Sequence, residues 1–543
     1  MNSNVSEILA RQSRDDPDGA AITQRRCGRD VILTYAQLEQ AVRRESRRLT
    51  EAGIIKGDRV LVLCSVSLEL YVAMLALLRC GGTAMFADPG AGLARLNTCC
   101  ERAQPRAVIA TWRASLLRPF VPALRWGPRW LTVPKLTPDA AGAVAPPPAT
   151  VEADHPAMLT FTSGSTGEPR GMVRTHCFLA RQQRAVVNHL GLRQGQTDLS
   201  TMPIFVLANL AAGVHSVLAD VNLARPGAAA PQRLIAQIVR HAPDRMLASP
   251  AMFDRLADYC IMRGIVLESL QRIDTGGAPV FPRTIDKLRA VMPHAHLMIV
   301  YGSTEAEPIA TLDATVQNDT QRVRIAGGAG LPAGACASDV QVRLLAARWG
   351  EPIGPLSAGQ FNAQCVEPGV VGEIVVRGDR VIGGYLNGVG DSQTKFHVDG
   401  SIWHRTGDLG RFDDEGQLWL LGRAAAQLRD QRGAIEPLAV EAAAMEQAAL
   451  ACCALVAIRG ERVLVVQIAA DAEDGWRERL LDDLAWAQIG RVMTLRRIPL
   501  DRRHNAKIDY PSLRRMVGAD SPSALSTTRA VPAAPSISTR SPS

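Results

Sequence analysis

Two places in this 543-residue chain carry residue types that could do chemistry. The first is LTFTSGSTGEPRG (Leu159–Gly171), where an apolar run breaks into a loop with three glycines, one proline and five hydroxyl side chains. Gly164, Gly167 and Gly171 allow close backbone approach, while Thr162, Ser163, Ser165 and Thr166 add hydroxyl donors. Clustered N–H groups of this kind bind anions, polyphosphate above all. The Gly-x4-Gly-Lys-Ser/Thr spacing of a Walker A loop is absent. A flexible polar linker shares the composition, so the motifs around the loop must decide between the two readings. The second place is Lys507. The chain has five lysines against fifty-six arginines, so an ordinary positive charge is written here as arginine. A lysine kept against that bias points to a site that needs a compact ammonium rather than a planar guanidinium fork.

Elements must position these groups. Short apolar β-type runs alternate with helical stretches: RVLVLC (59–64), a helix through LELYVAMLALLRC (68–80), TAMFADP (83–89) and RAVIAT (106–111). Strands followed by helices predict parallel sheets of the α/β class. The stretch 134–150 is a Pro/Ala-rich connector just before the loop. GEIVVRGDRVIGGY (372–385) and GQLWLL (416–421) read as β-rich. After Gly422 the pattern changes to a helix over IEPLAVEAAAMEQAAL (435–450) and the strands CCALVAIRG and RVLVVQIAA, a small α+β unit. The Ser/Pro/Ala/Thr-rich segment 520–543 has no periodicity and is expected to be a disordered tail.

Length exceeds what one core usually supports, so more than one domain is expected, and 47% hydrophobic content leaves ample material to bury. The formal charge of +8 is spread along the chain, which argues against nucleic acid. Eleven cysteines show no C-x-x-C, and the adjacent pairs Cys99–Cys100 and Cys452–Cys453 suit neither a zinc site nor a secreted disulfide framework. No segment has the apolar length of a membrane span, and the first residues lack the apolar core of a signal peptide. A cytoplasmic protein is the expectation.

The loop resembles the phosphate loop of the adenylate-forming superfamily, which comprises acyl-CoA synthetases, adenylation domains and luciferases, with Arg170 where that family usually has lysine. Further motifs follow in the family's order: LTYAQLEQAV (33–42), TGGAPV (275–280), YGSTEAEP (301–308), GEIVVRG with GGYLN (372–387), HRTGDLG (404–410), LGR (421–423) and HNAKID (504–509). The resemblance covers roughly residues 20 to 515. It implies that a carboxylate attacks the α-phosphate of ATP, giving an acyl-adenylate and pyrophosphate. Thr162 and Ser163 to Gly167 would cradle the outer phosphates. Gly302 belongs to the nucleotide-binding YGSTE turn, in which Thr304 would hydrogen-bond the α-phosphate and Glu305 would ligate Mg²⁺, a hard cation that prefers oxygen. Gly276, Gly277, Ala278 and Pro279 would lie along adenine and Tyr301 would stack on it. Asp408 would accept hydrogen bonds from the ribose hydroxyls with help from Arg423. Lys507 would sit between substrate carboxylate and α-phosphate, and Thr304, Glu305 and Lys507 form the catalytic set. His404 is given no catalytic role.

The family architecture implies a large N-terminal AMP-binding domain (1–422) of two α/β sheet layers plus a β-rich subdomain. A small mobile C-terminal lid (423–519) would carry Lys507. Amino-acid-activating relatives place an aspartate after a phenylalanine to pair with the substrate ammonium. Here TMPIFVLANLAAGV (201–214) has Val206 after Phe205 and no carboxylate, which points to an aliphatic or hydroxylated acid in an apolar tunnel near 204–214. FADPGAG (86–92), YGSTEAEPIA, the junction GRAAAQLRDQRGAIEPLAVEAA and DRRHNAKI (501–508) resemble the olefin β-lactone synthetases and the fatty acyl-AMP ligases. Three outcomes for the adenylate stay open: transfer to CoA, transfer to the thiol of an acyl carrier protein, or closure of a β-hydroxyacyl group to a lactone. Thiol transfer ranks first as the superfamily's commoner outcome, although Ala425 replaces the usual Asp or Lys of the hinge. An inactive adenylate-binding relative is the reading from a different class, and pyrophosphate release separates it from the others.

Overall fold

The computed structural model describes residues 4–136, 147–163, 168–223, 229–346, 348–470, 472–501 and 507–518. Two α/β layers share one core. The first layer is a six-stranded sheet in the order Arg129–Thr132, Ala107–Ala110, Arg59–Leu63, Thr83–Phe86, Pro156–Ser163 and Pro169–Thr175. Its strands are parallel except the last, which folds back antiparallel on Pro156–Ser163. The second layer is a longer sheet whose middle strands, His215–Leu218, Thr197–Ser200, Arg245–Ala248, Arg272–Gly276 and His296–Ser303, run parallel. From Ala306–Asp313 onward it turns antiparallel, continuing through Leu331–Cys336, Leu418–Arg423, Ser401–Phe412 and Gly372–Arg377. The expected β-rich portion is therefore continuous with the α/β sheet through its hydrogen bonds.

The helix Leu68–Arg79 shows why the layers stack. Eleven of its twelve residues are buried, so it has no solvent face; a helix apolar all round belongs inside a core. It lies in one cluster with Ile22 of the second sheet, Val60 and Met158 of the first, and Leu38 and Val42 of the helix Tyr35–Glu51. Ser67 caps its start, accepting a hydrogen bond from Leu70 N–H.

Beyond Arg423 a three-stranded sheet forms from Leu450–Ile458, Glu461–Ile468 and Arg491–Thr494. Its core includes Val440, Leu455, Leu464 and Leu480. The helix expected over 435–450 is shorter, Pro437–Ala444. Ala-rich sequence favours a longer helix, but Glu446 is drawn to Arg322 at 2.9 Å and Leu450 is buried at the start of the next strand. Tertiary contacts win over local propensity. Leu438 and Ala442 pack with Leu331 and Trp419 of the long sheet, and Trp486 Nε1 donates to Ala326 O at 3.1 Å. No helix among the described residues is long and apolar enough to cross a membrane.

Candidate active site

The strand His296–Ser303 turns tightly into Ala306–Asp313, with Ser303 opposite Ala306, so Thr304 and Glu305 form the tip of a hairpin. Gly302 must be small there, because a Cβ would approach Ala306 O to 3.0 Å. The tip is held from two sides. Arg174, buried on Pro169–Thr175, donates to Thr160 Oγ1 (2.6 Å) and to Thr304 O (3.0 Å), tying the strand Pro156–Ser163 to the hairpin. Ile382 N–H donates to Glu305 O at 2.8 Å.

The Glu305 carboxylate accepts a hydrogen bond from Tyr385 Oη at 2.8 Å. Burial alone would raise its pKa, yet the group is held below the ordinary glutamate value by His404, Tyr385 and Lys395. His404 is itself buried and, by desolvation first and Lys395 second, pushed down to about 3. Its ring is neutral near pH 7, so the ammonium and the phenol carry the effect on Glu305 there. His404 Nδ1 lies 3.2 Å from Thr394 O, which makes Nδ1 the protonated nitrogen. Burial pulls Lys395 down to about 8, while Glu305 and Asp391 oppose that shift. Its Nζ donates to Ile382 O and stands 5.4 Å from the centre of the Tyr385 ring. Arg170 is buried, stacks 5.6 Å from the same ring and donates to Gln393 Oε1 at 2.8 Å. It packs as part of the wall behind Tyr385.

Asp408 and Arg423 are cross-strand partners in the long sheet. Arg423 donates to Asp408 Oδ1 at 2.9 Å and Tyr301 Oη donates to Oδ2 at 3.0 Å. Each carboxylate oxygen accepts about two hydrogen bonds, so capacity for a diol remains. The Tyr301 pKa is raised, first by burial and then by Asp408, so the phenol stays a donor. The turn after Arg272–Gly276 runs alongside. A Cβ on Gly276 would strike Val300 O at 2.1 Å, whereas Gly277, at φ +79°, faces open space that a Cβ would fill. That open face fits a flat base.

Thr162 lies on the strand Pro156–Ser163, opposite Arg170. Gly164, Ser165, Thr166 and Gly167 lie outside the described residues. Lys507 is exposed on a loop of the C-terminal unit, where its N–H donates to Asp501 Oδ1 (2.9 Å) and its carbonyl accepts from Asp501 N–H (2.7 Å). Among the described residues no cluster of three or more His, Cys, Asp or Glu could hold a metal ion. A cation at Glu305 would therefore draw on substrate phosphates for ligands, as Mg²⁺ commonly does.

A narrow cavity of about 20 Å³ opens beside the hairpin, lined by Leu179, Gln182, Gln183, Val186, Ile204, Phe205, Leu207, Ala208 and Glu307. Ile204, Phe205, Leu207 and Ala208 line this cavity, but its volume is that of about one water molecule, well short of an acyl tunnel. The absence of a carboxylate from 201–214 does not extend to the whole lining, because Glu307 enters from the hairpin. Arg174, Tyr385, Lys395 and Glu307 were not among the site residues read from sequence. The scarcity of lysine that singles out Lys507 applies equally to Lys395. Tyr385 stands inside the GGYLN motif. Arg174 carries no local signal at all.

Comparison with known proteins bears on this geometry. The model of the AMP-binding enzyme family matches residues 9–386. The chain belongs to that family. Among curated relatives, this AMP-binding enzyme is 32% identical to an olefin β-lactone synthetase of Xanthomonas campestris pv. campestris, over 94% of this chain and 96% of that protein. It is 31% identical to an olefin β-lactone synthetase of Stenotrophomonas maltophilia, over 94% and 97%. Among solved structures, ATP-bound MatB from Rhodopseudomonas palustris shares the fold at TM-score 0.77 and 21% identity, covering 95% of this chain and 99% of that one. This AMP-binding enzyme is an AMP-forming acyl-activating ligase, and ATP and Mg²⁺ belong to its chemistry.

Proposed function

We propose that this AMP-binding enzyme activates a β-hydroxy fatty acid with ATP and closes the resulting acyl-adenylate to a β-lactone. The observation that carries this reading is the 32% identity to an olefin β-lactone synthetase along 94% of the chain. It moves lactone closure ahead of thiol transfer, the outcome that sequence reasoning ranked first. Ala425 at the hinge agrees, because the hinge serves the lid rotation associated with thioester formation.

In this reading the Thr162–Gly167 loop binds the outer phosphates, the Gly276–Pro279 turn and Tyr301 flank the base, and Asp408 with Arg423 holds the ribose. Glu305 holds Mg²⁺, which would neutralise phosphate charge. Gly302 lets the hairpin close, and Thr304 donates to the α-phosphate. The ammonium of Lys507 is brought in by the C-terminal unit (423–519) when it closes on the N-terminal domain (1–422), neutralising charge that builds as the carboxylate attacks. The phosphate-loop strand, the hairpin and the Asp408 cluster converge through Arg174 and Tyr301, which supports a single nucleotide site.

The test is pyrophosphate release from a panel of fatty, β-hydroxy fatty and amino acids, with and without CoA, with products identified by mass spectrometry. The expected result is pyrophosphate, AMP and a product one water lighter than the β-hydroxy acid, with no need for CoA. Formation of acyl-CoA in place of that product would overturn lactone closure, and silence from every acid would indicate a binding protein.

A further inference from the structure

Among the described residues four Trp and Phe side chains are exposed, and three of them, Trp112, Phe120 and Trp126, belong to the segment that leads into the edge strand Arg129–Thr132 of the first layer. Other residues of the segment anchor it. Thr111 caps the turn Trp112–Ser115, accepting from Ala114 N–H at 3.2 Å. Val121 and Leu124 are fully buried in one cluster with Leu61 and Val108 of the sheet, and Trp130 Nε1 donates to Leu124 O at 3.3 Å. With those residues inside, Trp112, Leu116, Phe120 and Trp126 are left outside, at 70, 62, 67 and 80% exposure. Trp112 and Leu116 stand four positions apart on one helical turn and so share a face. Arg118 Nη2 donates to Arg125 O at 3.2 Å and Arg125 Nη2 to Pro119 O at 2.6 Å, which folds the chain at Trp126 back against Arg118 and Pro119. Single exposed apolar residues are ordinary on a protein surface; four gathered on one short stretch mark an interaction face.

The charge beside these side chains has one sign. The sequence holds no Asp or Glu between Glu101 and Asp139, while Arg113, Arg118 and Arg125 are all exposed. Arg113 lies over the Trp112 ring at 5.2 Å, and the hydrogen bonds of Arg118 and Arg125 go to backbone carbonyls, so among the described residues no carboxylate offsets their charge. Apolar groups that protrude among unopposed guanidinium groups match a surface that is anionic at its face and apolar just beneath. Indole rings settle at the boundary between lipid headgroups and acyl chains, and arginine lays its stem along the apolar layer while its head reaches phosphate. A nucleic acid would use the arginines and leave Leu116 in water.

We propose that the segment from Trp112 to Trp126 docks this enzyme onto the surface of an anionic phospholipid bilayer, without crossing it. The docking face is separate from the nucleotide site and does not depend on the fate of the adenylate. It would set the enzyme at the surface into which long-chain acids partition.

The test is co-sedimentation of the full-length protein with vesicles of phosphatidylglycerol and phosphatidylethanolamine, and with vesicles of phosphatidylcholine alone. The wild type is expected to bind the anionic vesicles roughly tenfold or more tightly than the neutral ones, and to lose that preference in about 1 M salt. Arg113→Gln, Arg118→Gln and Arg125→Gln together should weaken binding to the anionic vesicles on the order of 10²-fold, at roughly fivefold for each charge near such a surface. Trp112→Ser, Phe120→Ser and Trp126→Ser together, with every arginine kept, should weaken it by roughly tenfold or more. Urea midpoints matching the wild type show that each variant is folded, and the two sets change different side chains, so either one decides if the other does not fold. Wild-type protein that ignores both kinds of vesicle, or a folded variant of either set that binds as the wild type does, overturns the proposal. Wild-type protein that self-associates in sedimentation equilibrium without binding vesicles, with the aromatic variant monomeric, overturns it too and gives the face to a second copy; binding to duplex DNA in place of vesicles gives it to nucleic acid.

Discussion

Tyr385 donates its phenolic hydrogen to Oε1 of Glu305 across 2.8 Å, though 80 positions separate them in the chain. The phenol fixes one carboxylate oxygen and stays protonated, since burial and Glu305 raise its own pKa above the usual tyrosine value. The carboxylate is thereby oriented and kept ionised, which suits its proposed role as a cation ligand. Tyr385→Phe should raise the Mg²⁺ concentration for half-maximal pyrophosphate release roughly tenfold or more, the usual scale for losing such a partner. A Mg²⁺ titration checks this, and an unchanged midpoint would remove Glu305 as the metal ligand.

Asp408 is clamped between Tyr301 and Arg423, which leaves it ready to accept from a diol without reorganising. Asp408→Asn turns one acceptor oxygen into a donor. The KM for ATP should rise about tenfold or more, with a smaller effect on kcat, because hydrogen bonds to a charged group are worth about 1.5–3 kcal/mol. Steady-state kinetics with varied ATP decide it.

Lys507 is one of five lysines among sixty-one basic residues. Lys507→Ala should lower the adenylation rate by on the order of 10²-fold or more, and Lys507→Arg should not restore it, since a guanidinium fork does not substitute for a point charge. Pyrophosphate–ATP exchange is the readout. A near-normal rate in the alanine variant would remove the lysine from the reaction.

His176 ties the N-terminal segment to the first layer. It is fully buried, and its Nδ1 accepts from Val5 N–H at 3.1 Å. Burial first and His155 second lower its pKa to about 4 from an ordinary 6.5. Between those values the unfolded chain binds the proton and the folded chain does not. Stability is therefore full above about pH 6.5 and falls as pH drops toward 4. This residue contributes roughly 3 kcal/mol to that loss. Urea denaturation at pH 7, 5.5 and 4.5 should show the decline, and His176→Asn should flatten it.

The order of motifs made the family and the α/β class legible, because each motif is local. A glycine needed inside a tight hairpin, as at Gly302, a glycine pressed against a neighbouring strand, as at Gly276, and a hydroxyl-rich stretch, as at 162–166, are written in consecutive residues. Lys507 was singled out for a compositional reason. The partners of these groups were not. Arg174 joins Thr160 to Thr304 over 14 and 130 positions, and Arg170 reaches Gln393 over 223. The helix over 435–450 was overextended because local propensity cannot register the pull of Arg322 on Glu446.

What the sequence by itself determined is the chemistry on offer: a glycine- and hydroxyl-rich stretch at 162–167, the YGSTE motif with Thr304 and Glu305, a carboxylate at Asp408 and an ammonium at Lys507. Only the tertiary structure decided which charges face one another. It set Lys395 and Tyr385 around Glu305 and brought Glu307 beside Phe205 and Gln183. The physical reason is that protonation and orientation depend on burial and on neighbours within a few ångströms, and those neighbours come from strands distant in the chain.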